Sequence, residues 1–304
     1  MSIRTTLFFL FLTGVASGGN AQNASAPYIK NFSEGIIYTR ASFPGHALYN
    51  TLKAIEFNGD LTKQLEAIDD LKKYQRSLAQ ENEQQIKDAF FVSGLMVLPQ
   101  YSKMYFTPAA SLVQIQALGY QQETMIAGTA GRMTLADRDR TNQVTINFPA
   151  GNLLDVWQKY QIDAAQYAIQ KTNETSTVAG YKCKKIIYTF NGNYAGKPVG
   201  NYIINLQPLK VTVWYTDDLP PSVNLIHPLY FELDKAVLKF EVEYDKNSKN
   251  KMLVEVMGVI PHTVDEDDLK LKEQQPVIEY KKDGFESQGM IMQIMMNAIA
   301  YLTK

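Results

Sequence analysis

Apolar and polar residues alternate along most of the chain, and this pattern predicts its fold. In the first half, short runs of β-branched and aromatic residues lie at 35–39 and recur through 102–148, separated by prolines, glycines and polar turns. Such runs at a spacing of about 8–12 residues are typical of antiparallel sheets. In the second half, 237–244 alternates most regularly and is expected to pair with 252–257. Alternation buries one face of a strand and leaves the other exposed to solvent. We therefore expect a mainly β (α+β) fold.

Two segments change to a helical period. The first places apolar residues on one stripe and charged residues between them, and it predicts an amphipathic helix in an insertion at about 60–85. The apolar members of this stripe are Leu61, Leu65, Ile68, Leu71 and Tyr74. The second segment predicts a methionine-rich C-terminal helix at about 286–303, whose apolar arc leaves almost no polar face. Such a helix has to dock on the sheet, cover a cavity, or meet lipid or a partner.

The N-terminal residues 1–21 have the pattern of an export signal. Arg4 provides a positive charge, 7–12 form a short apolar core, and Gly19 and Ala21 are small residues suited to a signal peptidase. A membrane anchor needs about 20 apolar residues, and this core is shorter. The sequence therefore predicts cleavage after Ala21 and one β-rich domain over 22–304. No cysteine stands at the cleavage point, so we expect a periplasmic or secreted protein without a lipid anchor or a transmembrane segment.

Composition narrows the classes of partner. Hydrophobic residues make up 45% of the 304 positions, enough for a substantial core, which argues against wholesale disorder. Thirty basic residues against 31 acidic ones give a net charge of −1 and no positive field for a nucleic acid. The single cysteine, Cys183, excludes a disulfide framework and a thiolate metal cluster.

Few residues offer catalytic chemistry. His46, His227 and His262 are far apart and each stands beside proline or glycine, so we expect ordinary surface histidines in loops. Cys183 lies between lysines in an alternating strand and is predicted to be a buried or half-buried thiol, rather than a nucleophile. The acidic run 265–268 lacks calcium-loop spacing and is predicted to form a turn or the start of a helix. We therefore predict no enzymatic activity, no metal site and no cofactor.

Two motifs resemble a known group of proteins. The strand 178–185 (Val-Ala-Gly-Tyr-Lys-Cys-Lys-Lys) and the later strand 213–220 (Val-Trp-Tyr-Thr-Asp-Asp-Leu-Pro) resemble exported proteins of unknown function related to the GLPGLI family. The resemblance covers about 34–260. The naming motif is replaced by Leu-Tyr-Phe-Glu-Leu at 229–233, which favours a sister group.

At greater distance these proteins are similar to the lipoprotein-carrier superfamily, and this similarity implies a more specific shape. Members of that superfamily fold a curved antiparallel sheet into a half-barrel that helices cover, over an apolar cavity for acyl chains. The resemblance thus implies that the inserted helix and the C-terminal helix cover such a sheet here. The pattern is also compatible with a plain closed core, which is favoured for any individual residue.

The sequence leads to one main functional hypothesis and two others. The first is an exported, non-enzymatic binding protein of the cell envelope that holds a hydrophobic ligand, such as lipid or lipoprotein acyl chains. Its candidate ligand-binding residues are Val213, Trp214, Tyr215, Leu238 and Phe240. Alternation alone does not settle which face Trp214 takes. The second is an envelope protein–protein interaction or structural module that uses the C-terminal helix, and the third is an enzyme that assembles His227 or His262 with distant carboxylates.

Overall fold

One large sheet organises the molecule. The computed structural model describes residues 28–29, 32–46, 49, 94, 96–157, 160–162, 164–192, 197–199, 202–204, 207–244, 251–282 and 284–300. The strands are β1 Gly35–Ser42, β2 Tyr101–Phe106, β3 Ala110–Gln116, β4 Tyr120–Ala127, β5 Ala130–Asp137, β6 Gln143–Pro149, β7 Tyr160–Ile162, β8 Tyr167–Val178, β9 Tyr181–Phe190, β10 Lys197–Val199, β11 Tyr202–Ile204, β12 Lys210–Thr216, β13 Leu229–Phe231, β14 Ala236–Glu243, β15 Lys251–Pro261 and β16 Val277–Glu279. The helices are α1 Leu153–Trp157 and α2 Phe285–Ala300, with 3₁₀ turns at Ala150–Asn152, Ala164–Gln166 and Pro221–Ile226.

The large sheet joins twelve of the described strands in the order β16-β6-β5-β4-β3-β2-β1-β15-β14-β12-β9-β8. Adjacent strands in this sheet are antiparallel, except that β16 pairs parallel with β6. Two short pairs, β10 with β11 and β13 with β7, stand apart from it. The prediction of a mainly β, mostly antiparallel fold is confirmed. The sheet is open, with β16 and β8 at its ends.

Alternation in the sequence corresponds to alternating burial in several strands of this sheet. In β1 every second residue is buried, and in β2 the buried positions are Ser102, Met104 and Phe106. The predicted meander is present, because each strand from β2 to β6 pairs with the next one. The predicted hairpin is present as well: β14 pairs with β15, and Phe240 lies opposite Val254.

The core divides into two clusters of buried side chains. The first lies on the strands of the meander and reaches the 3₁₀ turn Pro221–Ile226 and α2; Met104, Val113 and Met133 belong to it. The second lies further along the sheet, on β9, β12, β14 and β15. Both clusters consist of buried side chains, and their close packing stabilises the sheet on which they lie.

The C-terminal helix docks on the sheet. Ile291, Ile294 and Ala298 of α2 are buried, and the first two join the first cluster. The contact is close at Gly119, where an added Cβ would lie only 2.5 Å from the Ala298 Cβ. Of the alternatives left open by the sequence for this helix, docking on the sheet is the one observed for its inner face.

Two predictions fall outside the described residues: the export signal at 1–21 and the inserted helix at about 60–85. Among the described helices, none combines the length and the apolar character that a membrane crossing requires.

Candidate functional site

The five residues predicted to bind a ligand do not form one surface. Val213 lies directly opposite Phe240 across β12 and β14, and both are fully buried in the second cluster. Tyr215 is half-buried on the same face and packs against that cluster. Trp214 and Leu238 instead pack with the first cluster, and the fully buried Leu238 lies where the β12–β14 register shifts. The question of which face Trp214 takes is thereby answered: it lies opposite Lys239, away from Val213.

The packing of these residues is closed. Val213, Leu238 and Phe240 have no exposed surface. Trp214 is partly exposed, and the ammonium of Lys239 lies 4.9 Å from the centroid of its ring, a cation–π contact. In this conformation the predicted wall residues therefore act as core, and a ligand reaches only Trp214 and Tyr215.

A group of titratable side chains lies on the opposite face of the meander from the first cluster. β1 places Tyr38 opposite Lys103 of β2, and Tyr105 follows on the same face of β2. The adjacent strand residues Ile37 and Met104 take the other face of the sheet and belong to the first cluster. Directly after β15 ends, the chain brings His262 beside Tyr105, with 6.2 Å between the ring centroids. We call Tyr38, Lys103, Tyr105, His262 and Asp268 the Lys103 cluster.

Hydrogen bonds join four members of the Lys103 cluster in two pairs. The Lys103 ammonium donates to the hydroxyl oxygen of Tyr105, and the carboxylate of Asp268 lies close enough to Tyr105 to raise its pKa. Nε2 of His262 lies 2.6 Å from Oδ2 of Asp268. The ammonium nitrogen of Lys103 is also 3.9 Å from the ring centroid of Tyr105 and 6.0 Å from that of Tyr38. The result is two adjacent pairs, an amine with a phenol and an imidazole with a carboxylate.

Burial alters the acidity of this cluster. It lowers the pKa of Lys103 to about 8, although the nearby Asp268 carboxylate opposes the change. It raises the pKa of Tyr105 to about 12, and the Asp268 carboxylate acts in the same direction. The pKa of Tyr38 is raised by burial as well. Shifted acidities in a group of side chains that touch one another are typical of functional sites.

The acidic run positions Asp268. Residues 266–269 form a turn, in which the backbone N–H of Asp268 donates to Asp265 Oδ1 at 2.9 Å. The preceding loop is tied to the start of β1 by the backbone N–H of Val264, which donates to Glu34 at 2.6 Å. Of the two alternatives predicted for 265–268, a turn or the start of a helix, the turn is the one observed. Its role in orienting one carboxylate toward His262 was not predicted.

The structure contradicts the sequence prediction for one histidine and confirms it for another. His227 was expected at the surface and is fully buried, so that prediction is wrong. Its Nε2 lies 2.7 Å from the carbonyl oxygen of Val237 and its ring meets Phe240 edge to face, a structural role. His262 is exposed as expected, but its carboxylate partner lies six residues away and is not distant in the chain. Lys103 and Tyr105 were not predicted as site residues, because they occupy positions expected on the solvent-exposed face of an ordinary strand.

A second candidate surface is the outward side of α2. Phe285 is 88% exposed, and Met292 and Met296 are each 56% exposed. Gly289 lies between them, also exposed, and nothing approaches within 4 Å of where its Cβ would be. We call Phe285, Gly289, Met292 and Met296 the outer stripe. Their separations of four, three and four residues place them on one line along the helix.

A shallow depression of about 570 Å³ lies on β5 and β6 beside β16. Its polar side chains bind one another: Arg132 donates to Asn147 Oδ1 at 2.9 Å and forms an ion pair with Glu273 at 2.5 Å, while Asn147 donates to Glu279 at 2.7 Å. These contacts leave little for a ligand to bind. Throughout the described ranges, no three His, Cys, Asp or Glu side chains come together in a way that could hold a metal ion.

Comparison with known proteins gives no family for the chain. No family model and no curated protein match it. Solved structures with some similarity include PNGF-II in the C2 space group and PNGF-II in the P21 space group, each 14% identical with a TM-score of 0.39. The matches cover 86% of this chain, and 33% and 34% of those proteins. The chain thus spans about a third of their length, and similarity at this level carries no inference about function.

Proposed function

We propose that this protein is an exported, non-enzymatic binding protein of the cell envelope, and that the outer stripe of α2 binds a helix of a partner protein. Export is supported by the signal pattern at 1–21. The observation that carries the binding role is the exposure of Phe285, Met292 and Met296 on a helix that is already anchored to the sheet.

The outer stripe is not needed for the packing of α2. Ile291, Ile294 and Ala298 on the inner side already secure the helix. Placing two methionines and a phenylalanine in water forgoes about 25 cal/mol for each Å² of apolar surface left unburied. A line of such residues along one exposed helix face is typical of a recognition surface.

The spacing and chemistry of the outer stripe favour a helix as the occupant. Separations of four, three and four residues are those of the apolar seam between two paired helices. The stripe runs about 16 Å along α2, which is about three helical turns. Gly289 lets a partner backbone come close, and methionine side chains adapt to irregular apolar surfaces.

The hydrophobic-ligand hypothesis has less support. A half-barrel with acyl chains along β12 and β14 requires Val213, Leu238 and Phe240 to exchange their present contacts for a ligand, since all three are fully buried. Lipid that co-purifies with the native protein and is identified by mass spectrometry would favour this alternative.

A photo-crosslinking amino acid at position 292 tests the main proposal. The crosslinked protein is identified in cells, purified, and titrated against the wild type, Met292→Gln/Met296→Gln and Met257→Gln. Met257 is 51% exposed on β15, so its replacement is a matched control for the same chemical change away from α2. We expect the double variant to bind at least tenfold more weakly, about 1.4 kcal/mol, and the control to bind like the wild type.

Several outcomes contradict the proposal. Equal affinity of the double variant and the wild type removes the outer stripe from the interface. Crosslinks to a second copy of this chain, together with a dimer that the double variant loses, make α2 an oligomerisation surface instead. Crosslinks to lipid alone, or none at all, also overturn it.

A further inference from the structure

The Lys103 cluster combines an amine, a phenol and an imidazole–carboxylate pair on one half-exposed patch. Lys103 and Tyr105 are half-buried, while the side chains of His262 and Asp268 are 39% and 20% exposed. The patch lies on the opposite face of the meander from the first cluster, which α2 joins. Its chemistry is therefore separate from the binding role proposed for α2.

We propose that the Lys103 cluster is a covalent capture site for small aldehydes, which the Lys103 amine binds as an imine. The nitrogen lone pair attacks the carbonyl carbon, the C–N bond forms, and the carbonyl oxygen takes up a proton. The carbinolamine then loses this oxygen as water. The two protons that leave with the water equal the two that the neutral amine gives up, so no oxidant or reductant is needed.

The surroundings of Lys103 suit each part of this step. Tyr105 is in direct hydrogen-bond contact with the reacting nitrogen, and the Asp268 carboxylate lies close enough to Tyr105 to raise its pKa. The pair of His262 and Asp268, 2.6 Å apart, places an imidazole and a carboxylate on the same patch. Pairs of this type are the usual acid–base partners of nucleophilic side chains.

The amine is neutral more often than that of an ordinary lysine. With a pKa of about 8, roughly a tenth of Lys103 is unprotonated at pH 7. By contrast, the pKa of Lys184 is raised by its hydrogen bond to Asp217, and the pKa of Lys235 is raised in the same way. Only the neutral amine attacks a carbonyl, so the exposed Lys184 reacts far more slowly despite its accessibility.

The groups that face Lys103 come from several elements. Tyr38 lies on β1, Tyr105 on β2, and the neutral Gln114 lies opposite on β3. The segment after β15 contributes His262 and Asp268. The negative charge of Asp265, in the same segment, helps to raise the pKa of Tyr105. Of these, Asp268 acts on the Lys103 pKa in the direction opposite to burial, so it is the side chain through which the site is tuned.

Reductive labelling of the native full-length chain tests the proposal. The protein is incubated with limiting acetaldehyde and cyanoborohydride at pH 7, and modified lysines are quantified by peptide mass spectrometry. We expect Lys103 to be alkylated at least tenfold faster than Lys184, with a rate that rises with pH around a midpoint near 8. Labelling of Lys103 no faster than Lys184, or a midpoint near that of ordinary lysines, overturns the proposal.

Two variants separate this site from simple accessibility. In Asp268→Asn the opposing carboxylate charge is lost, so the midpoint for Lys103 is expected to fall below that of the wild type. In Lys103→Arg the label at this position disappears while that at Lys184 is unchanged. An unchanged midpoint in a folded Asp268→Asn protein contradicts the assignment. Met292→Gln/Met296→Gln serves as a control, since it leaves labelling intact whether or not the α2 proposal holds.

Discussion

Cys183 shows how a strand decides the chemistry of a side chain. Its neighbours Lys182 and Lys184 are exposed, whereas the thiol faces the first cluster and has no exposed surface. Its Sγ lies 3.5 Å from the carbonyl oxygen of Tyr181. Burial raises the pKa of the thiol to about 12. The buried thiol predicted from alternation is confirmed, and the two lysines do not activate it.

We expect Cys183 to resist thiol reagents in the native protein. A thiol with a pKa of about 12 carries almost no thiolate at pH 8, and the reagent has no path to it. Incubation with a chromogenic disulfide at pH 8 should release no thiolate from the folded chain and about one equivalent in concentrated urea. Rapid stoichiometric reaction without urea would show that the strand opens readily.

The histidines mark the limit of local reasoning about single residues. His227 and His262 stand in similar contexts beside proline, yet one is buried in the core and the other belongs to a surface cluster. What separates them is the course of the chain around Val237 and around Asp268. Alternation predicts which side a strand residue takes, but it carries no information on which loop arrives at that side.

Elements were predictable where their period is local. The meander, the β14–β15 hairpin and α2 all follow from spacing within a short window of sequence. The neighbours of β1 do not, because β15 joins it from the far end of the chain. Nor does the three-residue β16, whose pairing with β6 depends on the path of the intervening segment.

At the level of elements, the close packing of α2 against Gly119 leads to a pair of predictions. Gly119→Ala would place a methyl group 2.5 Å from Ala298 Cβ and 2.9 Å from that residue's backbone, so we expect a loss of about 1–3 kcal/mol in the free energy of unfolding. Gly289→Ala adds the same group in open space on the exposed side of the helix, where it should add about 0.5–1 kcal/mol. Urea titrations of both variants measure the difference. Equal effects would mean that α2 does not rest on Gly119.

For the whole molecule, the two-cluster core makes α2 part of the fold as well as a binding surface. Its inner side chains lie in the same cluster as Met133 and Ile146 of the meander. The outer stripe and the core therefore belong to one helix, and deleting that helix does not test binding alone.

Removal of residues 286–304 is expected to lower the free energy of unfolding by about 5 kcal/mol, since Ile291, Ile294 and their neighbours lose their burial. This is a large share of the stability of a typical domain. Far-UV circular dichroism with urea titration measures it, and Met292→Gln/Met296→Gln should retain the wild-type midpoint. A truncated chain with an unchanged midpoint would show that α2 adds little to the core.

The place of β1 between β2 and β15 has a consequence for how the chain acquires its structure. Gly35 lies opposite Phe106 on one side and opposite Pro261 on the other. Both edges of β1 are therefore paired only after β15 has been added. The chain between β1 and β15 forms a long loop, and closing a long loop slows folding. A growing chain that stops short of β15 carries two half-sheets with open, aggregation-prone edges. The large sheet is therefore completed only after β15 has been synthesised.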